Sequence, residues 1–179
     1  MKETKKLAFS AITVALGVAF MLLGAVFEPL DLASSCLASV LLLFIYIEVG
    51  APYTYLVWLC TSLISFIVYP TALMWVMYLL VFGIYPILKG YIERAPRALW
   101  WPLKLLFGAV SLTALFLITS FVLGVPLVDE GLFGLPTPVI YAATALLGAL
   151  CFLLYDIFLT AAVRVYYSKI RNKLKNILK

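Results

Sequence analysis

The sequence contains no histidine and few charged residues of any kind. Only 12% of its 179 residues are Asp, Glu, Lys or Arg, whereas 66% are hydrophobic. The missing histidine excludes histidine-ligated metal sites and Ser-His or Cys-His catalysis. A soluble domain of this size needs more polar residues to cover its surface. The long apolar runs are continuous rather than alternating, which predicts membrane-spanning helices and argues against a membrane β-barrel.

Nucleotide-binding motifs and metal-type cysteine pairs are also missing. Neither G-x-x-x-x-G-K-[ST] nor G-x-G-x-x-G occurs in the sequence. Cys36, Cys60 and Cys151 lie singly in apolar runs, so we interpret them as small buried hydrophobic residues. We therefore predict that the chain is not an enzyme and holds no cofactor and no metal, and that any ATP hydrolysis is carried out by partner subunits.

Six apolar runs have about the 20 residues that a membrane-spanning helix needs. A proline or glycine closes or opens most of them, as expected at helix ends. The sequence thus predicts an all-α bundle of six helices in a single membrane domain, 1–179, with a basic tail at 164–179. The predicted spans are 7–27, 32–49, 53–69, 72–88, 105–123 and 139–163.

The basic residues predict the orientation of these spans. If the N-terminus lies in the cytoplasm, all 13 basic residues fall in cytoplasmic segments and the outer loops contain none. This sorting predicts a multi-pass protein of the cell membrane with both termini cytoplasmic. It also accounts for the net charge of +5 without a nucleic-acid partner.

Glu48 falls at the inner end of its predicted span, whereas Asp156 is predicted to lie about two turns inside the sixth span, counted from Arg164. A carboxylate at that depth is costly unless it is paired, so it should face the bundle interior. Lys89 and Lys104 are the candidate partners, and we predict a buried ion pair of Asp156 with Lys89. The pair either fixes helix packing or belongs to a proton or ion relay; the absence of other titratable groups in series favours packing.

Small residues recur in the first span at Ala11, Ala15 and Ala19, with Gly17 and Gly24 nearby. This spacing lets another helix approach closely. The neighbouring helix could belong to the same chain or to a different membrane subunit, and the pattern does not choose between them.

Several segments together resemble a known transporter family. They are KKLAFSAITVALGVAFMLLG at 5–24, IEVG at 47–50, FGIYPILKGYIER at 82–94 and LKLL at 103–106. With six spans in under 200 residues, these segments resemble the substrate-binding S components of energy-coupling factor (ECF) transporters. More narrowly, the chain is similar to a Firmicutes group of putative S components whose substrate is unassigned.

The resemblance implies a function and a set of site residues. S components capture a vitamin or related micronutrient at their outer half and deliver it with a coupling transmembrane subunit and two cytoplasmic ATPases. It implies partner docking through Ala11, Ala15 and Ala19, and the missing histidine argues against the nickel and cobalt members. The alternative is a scaffold subunit of another membrane complex, without a ligand; an outer cavity would favour capture, and a solidly packed outer half would favour the scaffold. The implied substrate-binding residues are Glu28, Asp31, Trp75, Tyr78, Asp129, Glu130 and Tyr141.

Overall fold

The computed structural model describes residues 3–27, 30–121 and 137–170, and this part of the chain is helical without strands. Six of its helical segments are long and apolar enough to cross a membrane, which confirms the predicted all-α bundle of six spans. The protein is therefore a multi-pass membrane protein. The helices are α1 Glu3–Val26, α2 Asp31–Glu48, α3 Ala51–Val68, α4 Leu73–Met77, α5 Tyr85–Ile92, α6 Arg97–Phe121 and α7 Thr137–Val165, with π-helical turns at Tyr78–Phe82 and Tyr166–Ile170.

The fourth span is not one continuous helix. It consists of α4, the π-helical turn Tyr78–Phe82 and α5, which together cover Leu73–Ile92. Pro86 has no backbone N–H, so the carbonyl of Phe82, four residues earlier, has no regular helical donor. The regular helix is interrupted just before this proline, at Gly83 and Ile84. The interruption that Pro86 requires is thus accommodated by a wider turn of the π type.

Two other boundaries follow from glycine and proline. Gly50 separates α2 from α3 with φ at 107°, a conformation that residues with a Cβ rarely adopt. α6 begins at Arg97, directly after Pro96, although the apolar run was predicted to start at Leu105. Pro102 lies inside this helix as its sixth residue, so the carbonyl of Ala98 has no regular helical donor. The amphipathic segment before Leu105 therefore belongs to the same helix as the fifth span.

α1, α2 and α3 pack closely because small residues line their contacts. A Cβ atom placed on Gly17 would lie 3.2 Å from Cγ2 of Thr61 on α3, and one on Gly24 would lie 3.0 Å from Cβ of Ser34 on α2. Beside this contact, fully buried side chains of the first four spans form the core. They include Met21, Leu42, Ile45, Val57, Met74 and Tyr78.

Contacts between distant segments define one end of the bundle. Tyr53 at the start of α3 donates a hydrogen bond to Glu3 at the start of α1. The hydroxyl of Tyr166, after α7, donates to Glu48 Oε1 at the end of α2 over 2.8 Å. This end also carries Lys89 and Lys104, and we call it the basic end. The end of α1, the start of α2 and the α3–α4 connection lie at the opposite end.

Candidate functional site

A cavity of about 660 Å³ lies between the fourth span and the last two helices. Its walls come from the start of α2, from α4 with its π-helical turn, and from the middle of α6 and α7. On α7 the lining runs from Thr144 to Tyr155, about 16 Å at 1.5 Å per residue. The volume falls within the roughly 300–1,000 Å³ of ligand-binding pockets.

The cavity wall contains no charged side chain among the residues that the structure describes. Its hydroxyl groups bond to helix carbonyls on the same or neighbouring helices. Thr113 Oγ1 donates to the carbonyl of Ala109 over 2.8 Å, and Thr144 Oγ1 donates to that of Ile140 over 2.9 Å. The remaining two hydroxyl groups, on Ser111 and Tyr155, donate to backbone carbonyls of the π-helical turn. The wall is therefore chemically apolar.

Side chains of three helices donate to the carbonyls of the π-helical turn. Trp58 Nε1 on α3 donates to the carbonyl of Leu79 over 3.2 Å, and Ser111 Oγ on α6 donates to that of Leu80 over 3.2 Å. The Tyr155 hydroxyl on α7 donates over 2.9 Å to the carbonyl of Phe82, the one that Pro86 leaves without its helical donor. An unpaired carbonyl inside a membrane protein is costly, so these bonds hold the interrupted helix in place.

We predict that Tyr155→Phe lowers the free energy of unfolding by about 0.5–1.5 kcal/mol, because the Phe82 carbonyl loses its donor while the ring stays in place. Tyr69→Phe is the matched control, since Tyr69 is 46% exposed and should change stability little. Unfolding in mixed micelles measures both variants. Equal stability of the Tyr155→Phe variant and the unmodified protein would contradict this role.

An aromatic cluster closes the cavity toward the basic end. Phe152 and Tyr155, which line the cavity, both contact the ring of Tyr85, with centroid distances of 4.7 and 5.6 Å. Phe107 stacks on Tyr85 at 5.3 Å and lies 6.0 Å from Phe152. Tyr85 is fully buried, and its hydroxyl donates to Asp156 Oδ1 over 2.7 Å. Tyr85 thus connects the closed end of the cavity to Asp156 at the basic end.

The ionic groups form a cluster around Asp156. Lys89 Nζ contacts Asp156 Oδ1, and Lys104 Nζ lies 2.8 Å from Asp156 Oδ2. Lys89 also donates to Thr160 Oγ1 over 2.8 Å. Glu93 Oε1 lies 3.2 Å from Lys89 Nζ and 3.8 Å from Lys104 Nζ. We call Lys89, Glu93, Lys104 and Asp156 the ion cluster; it joins α5, α6 and α7.

The sequence predicted one lysine partner for Asp156, and the structure shows two. Lys89 lies against Asp156 as expected, and Lys104, named as the other candidate, binds the second carboxylate oxygen at the same time. Tyr85 also donates to the carboxylate, whereas the neighbouring Tyr155 donates to a backbone carbonyl. These ion pairs and hydrogen bonds join neighbouring helices. Within the described residues, no hydrogen-bonded chain of titratable groups leads from Asp156 to the cavity.

The structure does not bring the described members of the predicted substrate set to the cavity. Tyr78 is 1% exposed and belongs to the core beside α1–α3. Trp75 packs on Phe66 and donates to the carbonyl of Pro70 over 2.9 Å. Asp31 begins α2, directly before Leu32 of the cavity wall. The other predicted members fall outside the part of the chain, or the side chains, that the structure describes; they are Glu28, Asp129, Glu130 and Tyr141.

The cavity residues themselves had no recognisable signal in the sequence. Most of them are ordinary apolar residues of the last two spans, such as Leu112, Phe116 and Leu147. A cavity depends on the spacing between helices, and no residue type or motif marks it.

The alanine face of α1 lies on the outside of the bundle. Ala11, Ala15 and Ala19 are exposed, whereas the buried face of the helix consists of Ser10, Thr13, Gly17, Met21 and Gly24. At 100° per residue the two faces are nearly opposite each other. The two glycines therefore belong to packing inside this chain, and the three alanines do not.

Comparison with protein-family models, with curated proteins and with solved structures finds no match for this chain. The cavity, the ion cluster and the exposed alanine face are therefore the features of the molecule that bear on its function.

Proposed function

We propose that the protein is the solute-capture subunit of an ECF-type importer, which binds a vitamin or related micronutrient and passes it inward with a coupling subunit and two ATPases. The observation that carries this proposal is the cavity of about 660 Å³ between the fourth span and α6–α7. A scaffold subunit has no need of such a space, because empty volume in a helix bundle forfeits packing energy.

The charge distribution supports an outward-facing cavity in the cell membrane. In the described part of the chain the basic residues gather at one end of the bundle, and by the positive-inside rule we assign this end and both termini to the cytoplasm. The cavity extends from the aromatic cluster toward the opposite end, where Leu32 begins its wall. In this orientation the solute is held in the outer half of the membrane, and the ion cluster lies on the cytoplasmic side.

The exposed alanine face supports a helical partner. A membrane helix packs most closely where small residues allow backbones to approach, and α1 presents three of them on its outer side. Nothing in the described part of the chain covers that face. The coupling subunit would dock there, and the ATPases would supply the energy that this chain has no motif to obtain.

The replacement Ala15→Trp should block assembly while leaving the bundle folded. The indole would stand on the exposed face of α1 and hold a docking helix away, without entering the described core. Affinity purification from native membranes should recover the unmodified protein with a coupling subunit and two proteins carrying G-x-x-x-x-G-K-[ST]. The variant should recover neither.

Leu146→Trp provides the matched control, because Leu146 is 75% exposed on a different helix, α7. It should co-purify with the same subunits as the unmodified protein. Recovery of the ATPases at normal yield with Ala15→Trp would refute docking on this face. Absence of any ATPase from the unmodified protein's complex would refute the proposed function.

A further inference from the structure

We infer that the captured solute is an amphiphile whose uncharged hydrocarbon chain fills the cavity, with entry from the bilayer. This inference rests on the proposed function and names the chemical class of its ligand. The lining chemistry, the opening and the closed end of the cavity each support it.

The lining offers a ligand almost no polar partner. It has no charged side chain among the described residues, and its hydroxyl protons are used on backbone carbonyls, including those of Leu80 and Phe82. A polar or ionised group placed here would lose its water and gain no hydrogen-bond donor in return, at a cost of several kcal/mol. The wall therefore selects an uncharged apolar group.

The cavity opens on the lipid-facing surface. Leu32 is 51% exposed and Leu147 is 64% exposed, yet both belong to its wall. Thr113 and Cys151 are likewise exposed wall residues. In a bilayer these side chains meet lipid chains, so a ligand dissolved in the membrane reaches the cavity without crossing water. Hydrocarbon chains concentrate in this phase.

The closed end fixes the direction in which a chain lies. Phe152 is 8% exposed and Tyr155 5% exposed, and both are backed by the buried ring of Tyr85. A chain would point its tail at these rings and extend along about 16 Å of α7 toward Thr144. Its polar head would then lie at the opposite end of the bundle, beyond the apolar wall.

Photo-crosslinking of palmitate in lipid nanodiscs tests the inference. Palmitate with a diazirine in its chain is equilibrated with the full-length protein, activated by light, and the adducts are located by mass spectrometry. Adducts should concentrate on Leu112, Phe116 and Leu147, and excess unlabelled palmitate should remove them. Equal labelling of Leu63 and Ile67, exposed residues of α3 away from the cavity, would show annular lipid only and overturn the inference.

Three variants test whether labelling depends on the width of the cavity. Leu112→Trp narrows the cavity and should lower adduct formation there about tenfold, which corresponds to about 1.4 kcal/mol of binding free energy. Leu117→Trp, on the outer side of the same helix and outside this cavity, should leave labelling unchanged. Ala145→Phe narrows the same wall from α7 and serves if Leu112→Trp fails to fold. Unchanged labelling in a folded narrowing variant would contradict the inference.

A further arm separates this inference from the proposed function. Riboflavin, a water-soluble vitamin, should not compete with palmitate. Displacement of the palmitate adducts by riboflavin would overturn the hydrocarbon assignment and leave solute capture intact. Cavity labelling without any co-purifying ATPase would instead keep the lipid-chain site and refute the ECF assembly.

Discussion

Replacement of Asp156 by leucine is expected to lower the free energy of unfolding by about 3–5 kcal/mol. The carboxylate binds two lysines at once, and Lys89 is 3% exposed while Lys104 is 9% exposed. Without Asp156, both ammonium groups would stay buried near the membrane interior with only the half-exposed Glu93 as counter-ion. An unpaired buried charge costs far more than the pair contributes. Urea or SDS unfolding in mixed micelles would measure the loss.

The triple variant Asp156→Leu, Lys89→Met and Lys104→Met distinguishes a buried-charge penalty from damage to packing. Replacement of a whole ionic group by apolar side chains of similar size is often neutral or stabilising, so the triple variant should regain most of the lost stability. Glu93→Gln is the mild control. The side chain of Glu93 is 39% exposed, so this replacement should lower the free energy of unfolding by only about 0–1 kcal/mol. A triple variant as unstable as Asp156→Leu would contradict the charge explanation.

The replacement Gly83→Ala is expected to destabilise the protein by about 1–3 kcal/mol, although alanine normally improves a helix. Gly83 is buried at the end of the π-helical turn, and its N–H donates to the carbonyl of Tyr78 over 2.7 Å. A Cβ atom would lie 2.7 Å from that carbonyl oxygen and 2.8 Å from Trp58 Nε1. The turn would have to move, and with it the Trp58 bond to Leu79.

Gly148→Ala is the matched control for this variant. The Cβ atom would meet only the flexible end of Leu112, at 3.1 Å from Cδ2, within the continuous helix α7. The gain in helix propensity of about 0.5–1 kcal/mol should offset this contact. Thermal unfolding of both variants checks the contrast. A Gly83→Ala variant that is as stable as Gly148→Ala would show that the π-helical turn yields without cost.

The apolar runs were sufficient to predict six spans because hydrocarbon allows only fully hydrogen-bonded segments of sufficient length. Asp156 was recognisable for the same reason: a carboxylate in an apolar run requires a partner, and few cations were near enough in depth. The alanine repeat was visible too, but a repeat defines only a face. Which of the two faces of α1 packs inside the bundle depends on its neighbours, and the structure places Gly17 and Gly24 inside and the alanines outside.

The predicted binding residues illustrate the limit of the same reasoning. Aromatic side chains near a span end could serve a ligand, the membrane interface or the core, and sequence position does not distinguish these. Tyr78 lies in the core, and Trp75 packs against α3. Val81 and Phe82, later in the same span, line the cavity instead.

The sequence by itself determined the class of protein, the six spans and the need for a counter-ion at Asp156, since each follows from the cost of placing polar groups in hydrocarbon. Only the tertiary structure decided that two lysines share that carboxylate, that three helices donate to the interrupted fourth span, and that a cavity remains beside it. These features depend on distances between helices. Such distances are set by the packing of all side chains together and by no single segment of the chain.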